Sequence, residues 1–401
     1  MAISSEQVEG SWPKMAVLEV EGLNGRTFSG ASGFQVDFVR DWKQAAALWN
    51  GAGHGTSFQH LHWLDAWYGA FDAVSPLIAI ISEAATNRQI ALVPLIRRVK
   101  RGIRIVEFAD LGLTDYNAPI LDFSAPGDAA GARALCKALL AALRKSPEGA
   151  DLLRLQKMPA DILGKPNPLV SLGRIGSCSL NGNLIRIGDD FDAYRASIRR
   201  MQLPRSWRVF NRYPGATFRI VTNVDEALRL LDTMDAQQQA RMQTLGLKFI
   251  LNDEARARFY RDLVIRGVGE GYVVVAALIC GEEIVATAFG VRRGKHFVFL
   301  RVSNAGKSWS HCSPSRLIIE RTMAALHRQG VRQFDLSIGN YSFKRRFGAV
   351  RFPLTDVSIA LSWRGIPYVL RDLTAQQLRR HPWLAERVGR LLGKRPSREE
   401  T

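Results

Sequence analysis

The stretch Gln333–Gly348, QFDLSIGNYSFKRRFG, carries the most information about the fold and the function of this chain. A short apolar strand is predicted over Phe334–Ile338, and it runs directly into Gly339. The cations Lys344 and Arg345 follow a few residues later. A glycine at the carboxyl end of a strand lets backbone approach a ligand closely, and open α/β sheets bind ligands at those ends. The stretch therefore predicts either one side of a pocket for an anionic group or a solvated turn followed by a basic surface helix.

Three strands and a helix precede this stretch. The segments Tyr272–Ile279, Glu283–Arg292 and His296–Val302 are apolar and separated by glycine turns, which predicts an antiparallel meander. The polar loop SNAGKSWSHCSPS then leads to a predicted helix over Arg316–Gln329. This order predicts an α/β chain with mixed, mainly antiparallel sheets flanked by helices.

The first half of the chain shows the same order of elements. Strands predicted at Ile90–Ile96 and Ile103–Phe108 precede a helix predicted at Ala129–Lys145. Arg97 and Arg292 each begin an arginine pair at the end of an equivalent strand, 195 positions apart. This spacing indicates a duplicated domain.

The length of 401 residues also favours two domains, because single cores stop growing at roughly 250 to 300 residues. Hydrophobic content of 47% and charged content of 23% are typical of a globular protein. The predicted organisation is a leader (1–33), a first domain (34–190), a basic bridge (191–220), a second domain (221–360) and a basic helical tail (361–401).

The net charge of +18 lies entirely in the second half of the chain. Residues 1–190 hold 19 Lys and Arg against 19 Asp and Glu, whereas residues 191–401 hold 36 against 18. Such asymmetry predicts a nucleic acid, an anionic membrane surface or a phosphorylated ligand as the partner of the second half.

The four cysteines are far apart and form no C-x-x-C pair, so a disulfide framework and a zinc knuckle are both disfavoured. His60 and His62 are two residues apart, which on a helix directs them to different faces, and no metal site is predicted. The amino-terminal residues lack the pattern of a signal peptide, and no apolar run approaches the roughly 18 residues of a membrane span. A cytoplasmic location is expected.

The predicted bridge and tail are both rich in arginine. The bridge contains Arg200 among seven arginines with no acid after Asp192, which is either a solvated face or a ligand-binding surface next to the predicted inter-domain groove. The tail, with a helix predicted over Leu370–Gly393, has the composition of an interfacial helix on anionic lipid, or of a helix docked on its own domain.

Asp115 and Tyr116 lie in a loop rich in Gly, Thr, Asn and Pro between apolar segments of the first half. Catalytic and binding side chains are often held in such loops. The alternative is a local turn in which Asp115 accepts backbone hydrogen bonds.

Four fragments together resemble the GNAT acyltransferase superfamily, and more closely the CelD-like acetyltransferases and the related Fem peptidyltransferases with two tandem GNAT-type domains. The fragments are SPSRLIIE from Ser313, G-x-x-x-F-D-L from Gly330, Y-x-F-K-x-x-F-G from Tyr341, and TDYNAPI from Thr114. The resemblance implies two tandem GNAT-like domains, the second catalytic. It also implies acyl-CoA as cosubstrate, or aminoacyl-tRNA as in Fem enzymes.

One departure from the GNAT pattern concerns the pyrophosphate loop. The usual Q/R-x-x-G-x-G/A run is replaced by residues His311 to Arg316, HCSPSR. Free backbone N–H groups and the positive end of the helix still suit phosphate, helped by Ser313, Ser315 and Arg316. We expect these three residues to bind the cofactor, although Pro314 removes one donor.

The resemblance implies direct acyl transfer, which needs a base, an acid and a donor for the thioester oxygen. The base predicted is His311, with Asp115 and its hydrogen-bonding partner Tyr116 as the rival. Backbone near Arg301 and Val302 is predicted to stabilise the oxyanion.

The remaining predicted roles fall within the opening stretch and the bridge. Tyr341 is the predicted acid for the leaving thiolate, and Asp335 either orients the base or closes the strand end. Lys344 and Arg345, with Arg200, are predicted to bind phosphate or the acceptor.

The leading interpretation is an acyl-CoA-dependent acyltransferase that acts on an amine or hydroxyl of a cell-envelope glycan or lipid precursor. One alternative is a long-chain N-acyltransferase acting on a lipid amine such as a sphingoid base. Others are a Fem-type aminoacyl-tRNA-dependent transferase and a non-catalytic nucleic-acid-binding protein. A lipid or glycan acceptor and peripheral contact with an anionic membrane are the partners expected, with nucleic acid as the less favoured one.

Overall fold

The structure is a computed structural model that describes residues 28–29, 33–51, 53–173 and 176–380. The strands in chain order are β1 (Phe28–Ser29), β2 (Phe34–Val39), β3 (Ser75–Pro76), β4 (Ile78–Glu83), β5 (Gln89–Val93), β6 (Leu95–Lys100), β7 (Ile103–Phe108), β8 (Ile120–Leu121), β9 (Leu152–Pro159), β10 (Asp161–Ile162), β11 (Lys165–Pro166), β12 (Gly176–Arg186), β13 (Ala216–Val221), β14 (Val273–Cys280), β15 (Glu283–Arg293), β16 (His296–Asn304), β17 (Gln333–Asp335) and β18 (Val350–Ala360). The helices are α1 (Trp42–Leu48), α2 (Leu61–Ala70), α3 (Ala129–Lys145), α4 (Phe191–Ser197), α5 (Leu203–Phe210), α6 (Val224–Thr244), α7 (Glu254–Gly267), α8 (Pro314–Arg328), α9 (Ser342–Arg346) and α10 (Ile366–Arg380).

The described residues form two compact units. Unit 1 comprises Gly55–Ala73 and Asn181–Phe352, and unit 2 comprises the described residues of 28–54, 74–180 and 353–380. The prediction of an α/β chain with two domains and mainly antiparallel sheets is confirmed. The units differ from the predicted ranges 34–190 and 221–360, because α2 belongs to unit 1 and the chain after Phe352 belongs to unit 2.

The sheet of unit 1 has the strand order β13-β14-β15-β16-β17-β12. All neighbours are antiparallel except β16 and β17, which are parallel. The predicted meander is confirmed as β14, β15 and β16. Asn223 and Asp253 cap α6 and α7 through their side chains, as their positions before helical segments predict.

Helices cover both faces of this sheet. Phe297 and Phe299 of β16 share a buried cluster with residues of α5 and α8. Arg301 and Ser303 of the same strand instead bond to side chains of α6. A β-bulge between Phe299 and Arg301 shifts the alternation of side chains by one residue, so α5 and α8 lie on one face of the sheet and α6 lies on the other.

The segment Gly55–Ala73 joins unit 1 through aromatic packing. Trp63 of α2 is fully buried and meets Phe259 of α7 with ring centroids 4.9 Å apart. The Tyr272 hydroxyl donates to the Ser57 carbonyl at 2.7 Å, and Arg293 donates to the Gly55 carbonyl at 2.7 Å. Burial of the aromatic side chains therefore places α2 against α7, which follows it by some 200 residues in sequence.

Unit 2 contains two larger sheets and a hairpin. One sheet has the order β1-β2-β4-β5-β8, the other contains β18-β9-β7-β6-β3, and β10 pairs with β11. Helix α3 buries Leu135, Leu139 and Leu143 in their common core. Buried Asp151 fixes the chain between β18 and α10, because its side chain binds Arg104 and Ser362.

The described part of the predicted tail is α10, which is docked on its own unit. Asp372 accepts from Arg154 of β9 at 3.2 Å and from Ser358 of β18 at 2.8 Å. Residues 381–393 of the predicted tail helix, and most of the predicted leader, lie outside the described residues. No helix in the described part of the chain is long and apolar enough to cross a membrane.

Candidate active site

The parallel strands β16 and β17 pair over only three residues and then separate. His296 pairs with Gln333 at the start of this ladder and Val298 pairs with Asp335 at its end, after which β16 continues to Asn304. The chain after Asp335 follows β12 instead, since the Leu336 N–H donates to the Asn183 carbonyl at 2.8 Å. The sheet of unit 1 therefore opens at the carboxyl ends of its two parallel strands, a usual place for ligands in α/β sheets.

A β-bulge in β16 lies beside this opening. Phe289 faces Arg301 and Gly290 faces Phe299, so Leu300 is an extra residue without a partner on β15. A bulge shifts the alternation of a strand by one residue. It turns Arg301 away from the face of Phe299 and toward α6. The sequence contains no feature that identified Leu300.

The predicted strand Phe334–Ile338 is wrong beyond Asp335. Ser337 has a φ of 65° and Gly339 a φ of 109°, so the backbone turns where the sequence predicted a continuous strand. The Asp335 carboxylate accepts the Ser337 N–H at 2.6 Å. Positive φ at a non-glycine residue is costly and persists when surrounding bonds fix it, as it does at functional sites.

Two buried side-chain N–H donors, an ammonium and an amide, hold the carbonyls of this turn. The Lys344 ammonium donates to the Ser337 carbonyl at 3.2 Å and to the Ile338 carbonyl at 2.6 Å. The Asn183 amide donates to the carbonyls of Ser337 and Gly339 at 2.7 and 2.9 Å. Lys344 is only 4% exposed, so its charge is used within the protein. Asn183, on β12, was not identified from the sequence.

The other predicted residues of this stretch lie at the surface. Tyr341 is 65% exposed, and its ring lies 5.5 Å from the Lys344 ammonium. Arg345 is exposed and makes no ion pair with a described carboxylate. Of the two cations predicted to bind an anion, Arg345 is the one that reaches solvent.

Asp335 has a second contact besides the turn. It is 2% exposed, and its Oδ2 lies 3.8 Å from Nε2 of His296. Nδ1 of the same imidazole lies 3.5 Å from the Ser57 hydroxyl. Asp335 thus closes the strand end and neighbours a histidine at the start of β16.

The first turn of α8 is joined to the end of β16. The Asn304 amide donates to the Ser315 hydroxyl at 2.7 Å, and Arg316 donates to the Ser313 hydroxyl at 2.6 Å. Ser313 adopts the left-handed conformation, Pro314 is the first helical residue, and no described side chain caps this helix end. Pro314 has no N–H, and the N–H groups of Arg316 and Leu317 donate to the Ser313 carbonyl. The Ser315 N–H and the positive end of the helix dipole are therefore the features of this turn that attract an anion.

His311 lies in the 3-10 turn Lys307–Cys312 just before α8. Its Nε2 is 3.0 Å from the Tyr213 hydroxyl, and its exposed ring stacks on Trp309. Burial raises the pKa of the neighbouring Cys312 thiol, which donates to the Trp309 carbonyl. Of these two side chains, the imidazole is the one that solvent and ligands reach.

Arg301 is buried against α6. Its guanidinium binds Asp235 and the Gln238 side chain, and it lies 4.6 Å over the ring of Tyr260. Its Nη1 is buried without a hydrogen-bond partner among the described residues, as is the Thr287 hydroxyl. Buried polar groups are normally paired, so these two atoms indicate a bound polar group or ordered water beside α6. The Val302 carbonyl accepts from Gln238 at 2.9 Å.

Asp115 and Tyr116 lie in unit 2, and Arg200 lies at the surface of unit 1. In the loop that contains Asp115, the Asp110 carboxylate accepts from the N–H groups of Gly112 and Thr114 and pairs with Lys157. Tyr116 is 3% exposed. The catalytic roles of Asp115, Tyr116 and Arg200 stay predictions.

Within unit 1 the structure brings the predicted residues together in two groups. One is the strand-end turn with Asp335, Lys344 and Tyr341; the other is the α8 entrance with Ser313, Ser315, Arg316 and His311. Asn304 joins the second group to β16. In the described part of the chain, no group of three or more His, Cys, Asp or Glu residues is arranged to hold a metal ion.

This fold and site agree with the comparison to protein families. Residues 197–345, less than half of the chain, match the family model described as Acetyltransferase (GNAT) domain. The match spans α5 through most of α9, and so includes β16, β17 and the α8 entrance. The prediction that the chain carries a GNAT-type acyltransferase domain is confirmed. The narrower resemblance to CelD-like acetyltransferases stays a prediction.

Solved structures similar to the chain include that of FemX, at 10% identity and a TM-score of 0.51 over 73% of this chain and 90% of that one. This likeness shows the fold alone. Two further structures have lower TM-scores. L-PGS from Bacillus licheniformis is 14% identical, with 89% of this chain and 98% of that one covered and a TM-score of 0.46. A tandem GNAT protein from the clavulanic acid biosynthesis pathway is 10% identical, with 82% and 99% covered and a TM-score of 0.41. No curated protein sequence matches the chain.

Proposed function

We propose that unit 1 transfers an acyl group from acyl-CoA to an amine or hydroxyl of a cell-envelope lipid or glycan precursor. One observation carries this proposal: the uncapped first turn of α8 is hydrogen-bonded, through Asn304 and Ser315, to the end of β16 beyond its separation from β17. An anion-binding helix end and an open sheet edge therefore meet at one place. That combination suits a donor with phosphates at one end and a reactive thioester at the other.

The chemistry requires one bond to form and one to break. The acceptor nitrogen or oxygen attacks the thioester carbonyl, His311 takes its proton, and the carbonyl oxygen becomes anionic. Backbone N–H groups of β16 near the Leu300 bulge stabilise that oxyanion, an interaction worth about 3 to 4 kcal/mol in other acyl transfers. The C–S bond then breaks, and Tyr341 protonates the leaving thiolate.

The acceptor is proposed to reach the opening from the α6 side of the sheet. Arg301 Nη1 and the Thr287 hydroxyl are buried there without described partners. Because Asp235 offsets the charge of Arg301, the site favours a neutral hydroxyl or carbonyl oxygen of the acceptor rather than a second anion.

A surface of unit 2 supports a lipid-associated location. Trp363 and Val99 are 78% and 70% exposed, and Ile366 and Leu370 lie beside Trp363 along the chain. The elements that carry them are joined because Arg364 donates to the Gly102 carbonyl at 3.0 Å. Exposed cations accompany this surface, namely Lys100, Arg101, Arg364 and Arg371. We define it as the Trp363 surface and propose that it contacts anionic phospholipid, as apolar residues flanked by cations do.

Aminoacyl-tRNA is the second candidate donor, and one observation favours it. Arg199, Arg200, Arg208 and Arg212 are exposed and make no ion pair with a described carboxylate. Unpaired arginines bind phosphate backbones with strong salt dependence. Under this alternative, transfer would require charged tRNA and would not release thiol from acyl-CoA.

The test is release of free thiol from acyl-CoA of increasing chain length, with and without amine acceptors. We expect acceptor-dependent thiol release, and Ser315→Asp should lower the affinity for CoA about tenfold or more because it places a negative charge at the positive helix end. Thr374→Asp adds the same charge on α10 and is the control. Wild-type CoA affinity in Ser315→Asp, or transfer only from aminoacyl-tRNA, would refute the acyl-CoA mechanism.

A further inference from the structure

A cavity of about 530 Å³ lies in unit 1 away from the α8 entrance. Its lining residues come from α5, the turn after it, β13 and the second half of α8: Trp207, Asn211, Ala216, Thr217, Phe218, Arg321, Ala324 and Arg328. Arg321 and Arg328 are 7 and 14 residues beyond Pro314, which is about 10 and 21 Å along the helix axis. The volume is within the usual range for small-molecule sites.

The helical side of the cavity has two cations with a small residue between them. Arg321, Ala324 and Arg328 are spaced by three and four residues, so they share one face of α8. The methyl side chain of Ala324 leaves room between the two guanidinium groups. Arg328 is exposed and pairs with no described carboxylate.

Arg321 is fixed in position but keeps donors for a ligand. Its Nε and Nη2 bind the two oxygens of buried Glu320 at 2.6 and 2.7 Å, and its Cζ lies 4.9 Å over the ring of Trp207. Arg195 also binds Glu320, at 3.0 Å. One carboxylate thus serves two guanidinium groups, and Nη1 of Arg321 has no hydrogen-bond partner among the described residues. Arg195 also pairs with Asp192, so with Arg328 the neighbourhood carries three cations and two anions.

The opposite side of the cavity consists of apolar side chains and of backbone groups at the edge of the sheet. Trp207 and Phe218 are half-buried. β13 is an edge strand that pairs only with β14 among the described strands, so one row of its backbone groups stays without a strand partner. A ligand here meets cations on α8 and flat or apolar surface on α5 and β13.

We propose that this cavity binds a phosphate attached to an apolar or planar group. The phosphate lies between Nη1 of Arg321 and the Arg328 guanidinium, where charge-assisted hydrogen bonds suit its oxygens. The remainder of the ligand packs against Trp207, Phe218 and Ala324. The phosphate comes from a lipid head group or a nucleotide, and its binding does not depend on the proposed transferase activity.

The test is calorimetric titration of the full chain with four probes and no acyl donor. We expect octyl phosphate, AMP or both to bind with 1:1 stoichiometry, and inorganic phosphate and octyl glucoside to bind at least tenfold more weakly. Saturable binding of octyl phosphate would identify the ligand of the cavity as a lipid phosphate, whereas saturable binding of AMP would identify it as a nucleotide. Binding of inorganic phosphate or octyl glucoside as tight as that of both larger phosphates would overturn the proposal.

Two variants place the binding in this cavity. Arg328→Gln removes an exposed charge and should raise the Kd about tenfold or more, and Thr217→Trp should do the same by filling the space from an exposed position. Arg229→Gln makes the same charge change at an exposed position of α6, on the other face of the sheet, and should bind as the wild type does. Arg328→Gln is a clean test, because the Arg328 side chain has no described partner whose loss could disturb the fold. Unchanged affinity in this variant would contradict the proposal.

Discussion

At the scale of single residues, Lys344 and Arg345 illustrate how adjacent cations take different roles. Lys344 is buried and donates to two carbonyls of the strand-end turn, whereas Arg345 is exposed. The sequence predicted a ligand-binding role for both, since a Lys-Arg pair after a glycine turn does not show which side chain points inward.

We expect Lys344→Met to lower the free energy of unfolding by roughly 2 kcal/mol or more, because the two carbonyls lose a charged donor. Arg345→Gln should leave that free energy unchanged and raise the KM for an anionic substrate. Urea unfolding and steady-state kinetics on the pair separate the roles. Equal stability of the two variants would contradict the position of Lys344.

At the scale of elements, the bulge in β16 and the docking of α2 decide how unit 1 is built. The extra residue Leu300 moves Arg301 to the α6 face. Helix α2 begins after His60, whose ring stacks on Tyr272 at 4.1 Å and whose Nδ1 accepts the His62 N–H at 3.3 Å. Burial, helped by His62 and Arg293, lowers the pKa of His60 from 6.5 to about 3.

This shift predicts acid sensitivity of unit 1. Between pH 6.5 and about 3, unfolded His60 binds a proton that the folded state excludes, so stability falls as the pH falls through that range. From pH 7 to 5 the expected loss is about 2 kcal/mol.

The variant His60→Phe keeps a ring against Tyr272 without a titrating group. Urea unfolding of the wild type and the variant at pH 7 and pH 5 should show a smaller acid loss in the variant. The same loss in both proteins would mean that other groups cause the acid sensitivity.

At the scale of the whole molecule, the Trp363 surface of unit 2 predicts binding to lipid vesicles. The full chain should sediment with vesicles that contain anionic phosphatidylglycerol, less so as salt rises, and weakly with purely zwitterionic vesicles. The double variant Trp363→Ser with Val99→Ser should lower the partition coefficient about tenfold or more, because it removes the most exposed apolar area.

Leu247→Ser is the matched control, since Leu247 is an apolar residue of unit 1 with 58% exposure. It should leave vesicle binding unchanged. If Leu247→Ser weakens vesicle binding as much as the double variant does, exposed apolar area in general, rather than the Trp363 surface, would account for the binding.

The sequence by itself determined several elements of unit 1 and their α/β class. The meander of β14, β15 and β16, the caps of α6 and α7 and the helix before β17 follow from local patterns, because alternation, turn glycines and capping side chains act within a few residues. The α8 entrance was also predicted, since the residues that indicate the start of a helix are adjacent in sequence.

Only the tertiary structure decided where these elements bring their side chains. The separation of β16 from β17, the extra residue Leu300 and the contacts of Asn183 and Asn304 join positions that are distant in sequence or differ by one residue in register. The placement of α2 in unit 1 likewise depends on burial of aromatic rings against α7, some 200 residues later in the chain. A hydrophobic stripe shows that a face is buried but not against which partner, because burial of apolar area is non-directional.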